Sequence, residues 1–120
     1  MSTEDPAQSA AHAGGTTSDI PVEPQSLEWM RRLVAIPSIS GTSNLSVIEL
    51  IEAEFARYGY TGQRTYNADQ TRANLWVTVP AADGSTEGGI VISGHTDVVP
   101  VEGQTWDSDP FTLRVEGSRA

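Results

Sequence analysis

The sequence contains no cysteine and no lysine. Without cysteine there is neither a disulfide framework nor a thiolate metal site, so any metal would have to be held by His, Asp or Glu. All seven basic residues are arginine, set against 16 Asp plus Glu, and the formal net charge is −9. A surplus of acid on that scale argues against nucleic acid and anionic membrane as partners. Long apolar runs are missing as well: no stretch reaches the length needed to cross a bilayer, and the first 25 residues have no apolar core of the signal-peptide kind. A cytoplasmic setting is the expectation that follows. Internal repeats and Gly-rich phosphate loops are also lacking.

What remains is enough for one small domain, since 120 residues are too few for two of ordinary size. Residues 1–25 are rich in Ser, Thr, Ala, Gly and Pro, with Ile20 and Val22 as the large aliphatics, which reads as a disordered tail. His12 falls in that tail and is expected to be a solvated imidazole. From Ser26 the pattern turns helical, with Leu27, Met30, Leu33 and Val34 at three-to-four spacing, Ser26 placed to cap the start and Pro37 to end the run. After a polar connection over 38–44, Ser46 and Glu49 form an S-x-x-E capping box for a second, amphipathic helix that Gly59 is placed to stop. Its Glu49, Glu52 and Glu54 are expected to be a solvated face rather than a metal cluster.

Residues 60–66 and 74–79 read as strands, the second dense in β-branched and aromatic types and closed by Pro80. A turn-rich loop over 81–89 then leads into Ile90, Val91 and Ile92, a short apolar run without alternation that suits a strand buried on both faces and neighbouring the strand at 74–79. The fold expected is α/β: two helices packed on a partial mixed sheet, spanning residues 26–120.

Chemistry-bearing side chains cluster where that run ends. Ser93, His95, Thr96 and Asp97 follow at what would be the carboxyl end of a strand, which is where ligand sites gather in open α/β sheets. In extended chain, positions 95 and 97 face the same side, so the carboxylate can reach the imidazole. A zinc-binding His usually gives its second N–H to a carboxylate in this way, yet His-x-Asp at a strand end is more often an ordinary hydrogen-bonded pair. Asp107 and Asp109 are ligands by type but read better as turn formers, Asp109 being held extended by Pro110. Trp106 and Phe111 are expected to anchor the loop, and Val98 and Val99 to pack beneath the site.

The longer run GHTDVVPVEGQTWDSDPF, residues 94–111, closely resembles the corresponding segment of the zinc aminoacylase and carboxypeptidase family of metallopeptidases. Looser likeness extends upstream through LVAIPSIS at 33–40 and RANLWVTV at 72–79. The resemblance implies a hydrolase acting on linear amide C–N bonds, with a small-molecule N-acyl amino acid as substrate and two Zn2+ ions, replaceable by Co2+, in the intact site. It casts His95 as a metal ligand and Asp97 as the catalytic-site carboxylate that steadies it. It further implies that the chain corresponds only to the amino-terminal part of a longer catalytic domain. The remaining metal ligands and the catalytic Glu of the family lie beyond it, so that the chain alone is expected to be inactive. Homodimerisation of the parent enzyme is left open, as is the choice among deacylases and dipeptidases of the family. A non-catalytic α/β remnant or interaction module, in which His95 and Asp97 merely hydrogen-bond, is the reading from another class.

Overall fold

A computed structural model describes residues 24–117, 119 and 120, arranged as two helices followed by a two-stranded sheet. Helix α1 spans Pro24–Val34 and starts three residues earlier than a Ser26 cap, with Leu27 as first helical residue, would place it. Proline suits a first helical turn because its missing N–H would have no partner there. Arg31 and Arg32 sit in the last turn, where positive charge complements the helix dipole. The helix ends at Val34, ahead of Ile36 and Pro37, since a residue before proline disfavours helical backbone. The apolar stripe of α1 is only partly used: Leu27, Trp29 and Val34 are half-buried, while Met30 and Leu33 are exposed. Arg32 lies over the Trp29 ring at 4.6 Å from its centroid, an exposed cation–π contact. The remainder of the expected tail, His12 included, lies outside the described residues.

Helix α2, Leu45–Arg57, is the element the sheet is built on. The anticipated Ser46–Glu49 capping box is not its start: Asn44 occupies the N-cap position, and its side chain makes no capping bond. The amide is engaged elsewhere. Its Nδ2 donates to Ala73 O at 2.9 Å and its Oδ1 accepts from Ala73 N at 2.9 Å, so one side chain satisfies both polar groups of a buried residue 29 positions away. At the other end the stop at Gly59 is found as expected. Gly59 takes φ +84°, its N–H bonds Ala56 O, and Tyr60 N–H reaches back to Phe55 O, the paired pattern that closes a helix through a left-handed residue.

Strands β1, Gly62–Tyr66, and β2, Ala73–Val77, pair antiparallel from Gly62 opposite Val77 to Tyr66 opposite Ala73. β1 lies within the expected segment 60–66, whereas β2 begins one residue before the expected 74–79 and ends two residues before its close. The turn between them is held by Asn67, whose Oδ1 accepts from Arg72 N at 2.9 Å, and by Asp69, whose Oδ1 accepts from Thr71 N and Oγ1 at 3.1 and 2.6 Å. Those bonds hold the Asp69 carboxyl below its ordinary range, the Thr71 hydroxyl being the main cause. Helix α2 crosses close to β1 at Gly62, where a Cβ would come within 2.6 Å of Leu75 Cδ1 and 3.0 Å of Glu52 Oε1. Glu52 itself is paired with Arg64 of β1, which also lies 4.0 Å from Glu49, and Glu54 is paired with Arg57, so all three helix acids are within ion-pair distance of an arginine.

The α/β expectation of helices on a partial sheet holds, with α2 carrying the contact to both strands. The sheet is antiparallel, and parallel pairing is confined to an isolated bridge between Ile39 and Val98. A further expectation is overturned: residues 90–94 form no strand, and Ile90, Val91 and Ile92 are 91, 69 and 93% exposed. A doubly buried strand needs a neighbour on each edge and cover on each face, whereas among the described residues β2 pairs only with β1. Among the described residues the buried apolar core is Val47, Ile48 and Ala73. Fully burying a Val or Ile contributes roughly 1.5–3 kcal/mol, so in so small a core the Asn44 bonds are a comparable term.

Two outcomes follow. Asn44→Ala leaves the buried Ala73 N–H and C=O without partners and should destabilise the fold by about 1–3 kcal/mol in urea melts, against a few tenths for Asn74→Ala on the exposed side of β2. Because the folded Asp69 carboxyl titrates below its unfolded value, its contribution is complete above the unfolded pKa and is lost as pH falls through the folded one. Asp69→Asn should therefore flatten the acid side of the stability profile and leave the neutral plateau lower.

Candidate functional site

The segment carrying His95 and Asp97 is extended but has no strand beside it, so its position must be fixed by something other than a sheet. The loop before α2 does this. Val98 N–H donates to Ser38 O at 3.0 Å and Ser40 N–H donates to Val98 O at 2.8 Å, giving the single parallel bridge. Side chains extend the attachment: Ser38 Oγ, in a residue 5% exposed, donates to Thr96 O at 2.5 Å, and Asn44 Nδ2 also reaches Thr96 Oγ1 at 3.1 Å. Residues 38–44 therefore hold residues 96–98 against the start of α2 and of β2.

On that support the two candidate residues meet. His95 Nδ1 and Asp97 Oδ1 are 2.9 Å apart, so the side chains do face one way, as expected of positions two apart in extended backbone. The other carboxylate oxygen, Oδ2, accepts from Ser40 Oγ at 2.5 Å. The Asp97 carboxyl is held below its ordinary range, first by the Ser40 hydroxyl and then by His95. An ionised carboxylate only accepts hydrogen bonds, so Nδ1 carries a proton, and in the neutral tautomer with that proton the lone pair lies on Nε2. Among the described residues Nε2 has no hydrogen-bond partner, and the imidazole is 84% exposed.

An imidazole with Nε2 outward and Nδ1–H held by a carboxylate suits one metal-ligand position. It does not amount to a closed site. No group of three His, Cys, Asp or Glu that could hold a metal occurs among the described residues, while zinc takes about four ligands. The donors therefore fit one ligand of such a centre, and no hydrolytic step can be written on them alone. Asp109 is a turn former: Oδ1 accepts from Phe111 N at 2.8 Å and Oδ2 from Thr112 Oγ1 at 3.1 Å. Asp107 stands apart with Trp106, Arg114 and Arg119 around a shallow depression. Trp106 does not anchor its loop, being half exposed, and Val98 and Val99 are likewise 44 and 69% exposed rather than packed beneath the site. The same missing cover that leaves 90–92 in solvent accounts for these.

Beside the pair runs an open cleft of about 760 Å³, floored by Ile48, Phe55, Leu75 and Val77 and rimmed by Ile92 and His95. Ser38, Ser40 and Asn44 escaped the reading of the sequence, which treated 38–44 as a connection. The signal was present in Ser-x-Ser after a proline, a spacing that sends two hydroxyls to one side of extended chain.

A steered imidazole on an α/β scaffold is the arrangement by which metal-dependent hydrolases mount a ligand. The relatives make this particular. The chain is 36% identical over 97 residues to acetylornithine deacetylase of Erwinia tasmaniensis, which covers 75% of this chain and 24% of that protein. It is 35% identical over 99 residues to the acetylornithine deacetylases of Salmonella arizonae and Salmonella paratyphi B, covering 77% of this chain and 25% of each. The chain thus resembles the amino-terminal part of acetylornithine deacetylases and spans about a quarter of the length of the curated relatives it matches. No protein-family model matches it, and no solved structure does.

The attachment predicts a stability effect at Ser38. Ser38→Ala deletes a donor to Thr96 O in a buried setting and should lower the thermal midpoint by an amount equivalent to about 1 kcal/mol, whereas Ser43→Ala should change it little.

Proposed function

We propose that this chain forms the amino-terminal part of the catalytic domain of a metal-dependent amidohydrolase that releases acetate from N2-acetyl-L-ornithine, a step of arginine biosynthesis. The observation that carries the reading is the His95–Asp97 pair, with Nε2 turned outward, in a chain 35–36% identical to proteins named acetylornithine deacetylase. His95 is the ligand for one of two zinc or cobalt ions, and Asp97 fixes its tautomer and aim. When bound, such ions supply a hydroxide from water at neutral pH and polarise the amide carbonyl. This chain's own part is to bring one imidazole to the metal in a set orientation. The other ligands and the proton-transferring Glu come from outside the 120 residues, and the chain alone is inactive.

The surroundings agree with a small-molecule substrate and not with nucleic acid or an anionic bilayer: the net charge is −9. None of the helices among the described residues is long and apolar enough to cross a membrane. A cytoplasmic enzyme, with homodimer formation residing outside this chain, completes the proposal. The small apolar-floored cleft beside His95 would receive either the rest of the catalytic domain or part of the acyl substrate.

A chimera tests this directly. Residues 26–115 substituted for the matching segment of the Erwinia tasmaniensis protein should give a zinc- or cobalt-dependent enzyme that releases acetate from N2-acetyl-L-ornithine. His95→Ala in the chimera should abolish release, and Asp97→Asn should lower it about 10- to 100-fold, the range expected when the partner of a ligating His is lost. Unchanged activity in His95→Ala would refute the ligand role. Turnover by the 120-residue chain alone would refute its incompleteness.

A further inference from the structure

The His95–Asp97 pair is exposed, and exposed polar side chains ordinarily change rotamer on the picosecond to nanosecond scale. Asp97 is 54% exposed and no packing surrounds its carboxylate, so the 2.9 Å bond to His95 cannot by itself keep both groups in place. A second fixed point on the carboxylate is required. It is supplied by Ser40, whose Oγ lies 2.5 Å from Asp97 Oδ2, on the oxygen that His95 does not use.

Ser40 differs from Asp97 in being tied down through its backbone. Its N–H donates to Val98 O, Val98 N–H donates to Ser38 O, and Ser38 is buried with its own hydroxyl on Thr96 O. The position of the Ser40 hydroxyl is thus set by the bridge. That hydroxyl has one proton and two acceptors within reach, Asp97 Oδ2 at 2.5 Å and Val98 O at 3.1 Å. Val98 O already receives the Ser40 N–H, and a bond to an ionised carboxylate is the stronger of the two, so the proton goes to Asp97.

We propose that Ser40 is a positioning residue: its hydroxyl anchors Asp97 Oδ2 so that Oδ1 holds the proton of His95 on Nδ1 and keeps Nε2 free and aimed outward. The assignment deepens the metal-ligand reading of His95 and rests on it for its catalytic meaning. As a statement about the tautomer of His95 it stands on the geometry alone. Ser40 touches neither metal nor substrate, and it acts through Asp97.

Nitrogen-15 chemical shifts of the His95 ring, measured at a pH where the imidazole is neutral, read the effect in the 120-residue chain without metal. The native chain should show the Nδ1–H form in at least about tenfold excess. Ser40→Ala should bring the two tautomers to within about threefold of each other, and Ser40→Thr, which keeps a hydroxyl at the same position, should restore the native ratio. A merely structural serine would leave the ratio unchanged while the fold persists, and that result overturns the proposal. Should Ser40→Ala fail to fold, the native chain still decides: the Asp97 carboxyl carbon should show a deuterium isotope shift from the Ser40 hydroxyl, and its absence overturns the proposal equally. Acetate release by the chimera separates the two readings. An inactive chimera whose His95 tautomer still follows Ser40 contradicts the deacetylase reading and upholds this one, whereas a tautomer indifferent to Ser40 contradicts this one at any level of activity.

Discussion

The contact between residues 38–44 and residues 96–98 is the constraint on which the rest of the structure depends. Through it the His95 segment, which has no strand to lie against, is attached to the only well-buried part of the described chain. Asn44 is the junction: one amide binds both backbone groups of Ala73 at the start of β2 and the Thr96 hydroxyl next to His95. The helix gives up a side-chain cap at Asn44 to make this possible. Losing a capping bond costs about 1 kcal/mol, and three bonds at a partly buried site more than offset it.

The division between what is rigid and what is exposed has a plain physical source. Helix α2 and the β1–β2 hairpin are local elements whose caps, turns and ion pairs come from residues near in sequence, so they form from the segment that contains them. The stretch from 90 to 94 is apolar enough for a strand in a sheet interior, and a strand of that type depends on neighbours on both edges. Among the described residues β2 pairs with β1 alone, and Ile90 and Ile92 stand in solvent at 91 and 93% exposure beside an apolar-floored cleft. The chain covers about a quarter of the length of the acetylornithine deacetylases it resembles.

How much the sequence revealed follows the same line. The helices, the stop at Gly59, the two strands and the facing of His95 and Asp97 are each set by periodicity, a positive-φ glycine or the alternation of extended chain and are legible, whereas the pairing of β2 with β1 in place of the 90–94 run is not. The start of α2 was misread because Ser46-x-x-Glu49 matches a capping box locally, while the residue that occupies the cap, Asn44, is committed to a partner 29 positions away. The buried strand at 90–92 was misread because composition records what a segment would do when covered, not whether cover exists. Ser40 is only half legible: Ser38-x-Ser40 after Pro37 marks two hydroxyls on one side of extended chain, and nothing local marks the carboxylate 57 residues later that one of them binds.

The central claim is that the loop before α2, and not a sheet, fixes the His95–Asp97 segment. Amide hydrogen exchange of Val98 measures this most directly, because its N–H is bound to Ser38 O and to nothing in the hairpin. The account predicts that Val98 is protected in the native chain to about the same degree as Ala73, whose N–H is held by Asn44, the two opening together as one unit. Exchange of Val98 at the rate of an unprotected amide, while Ala73 stays protected, would contradict it.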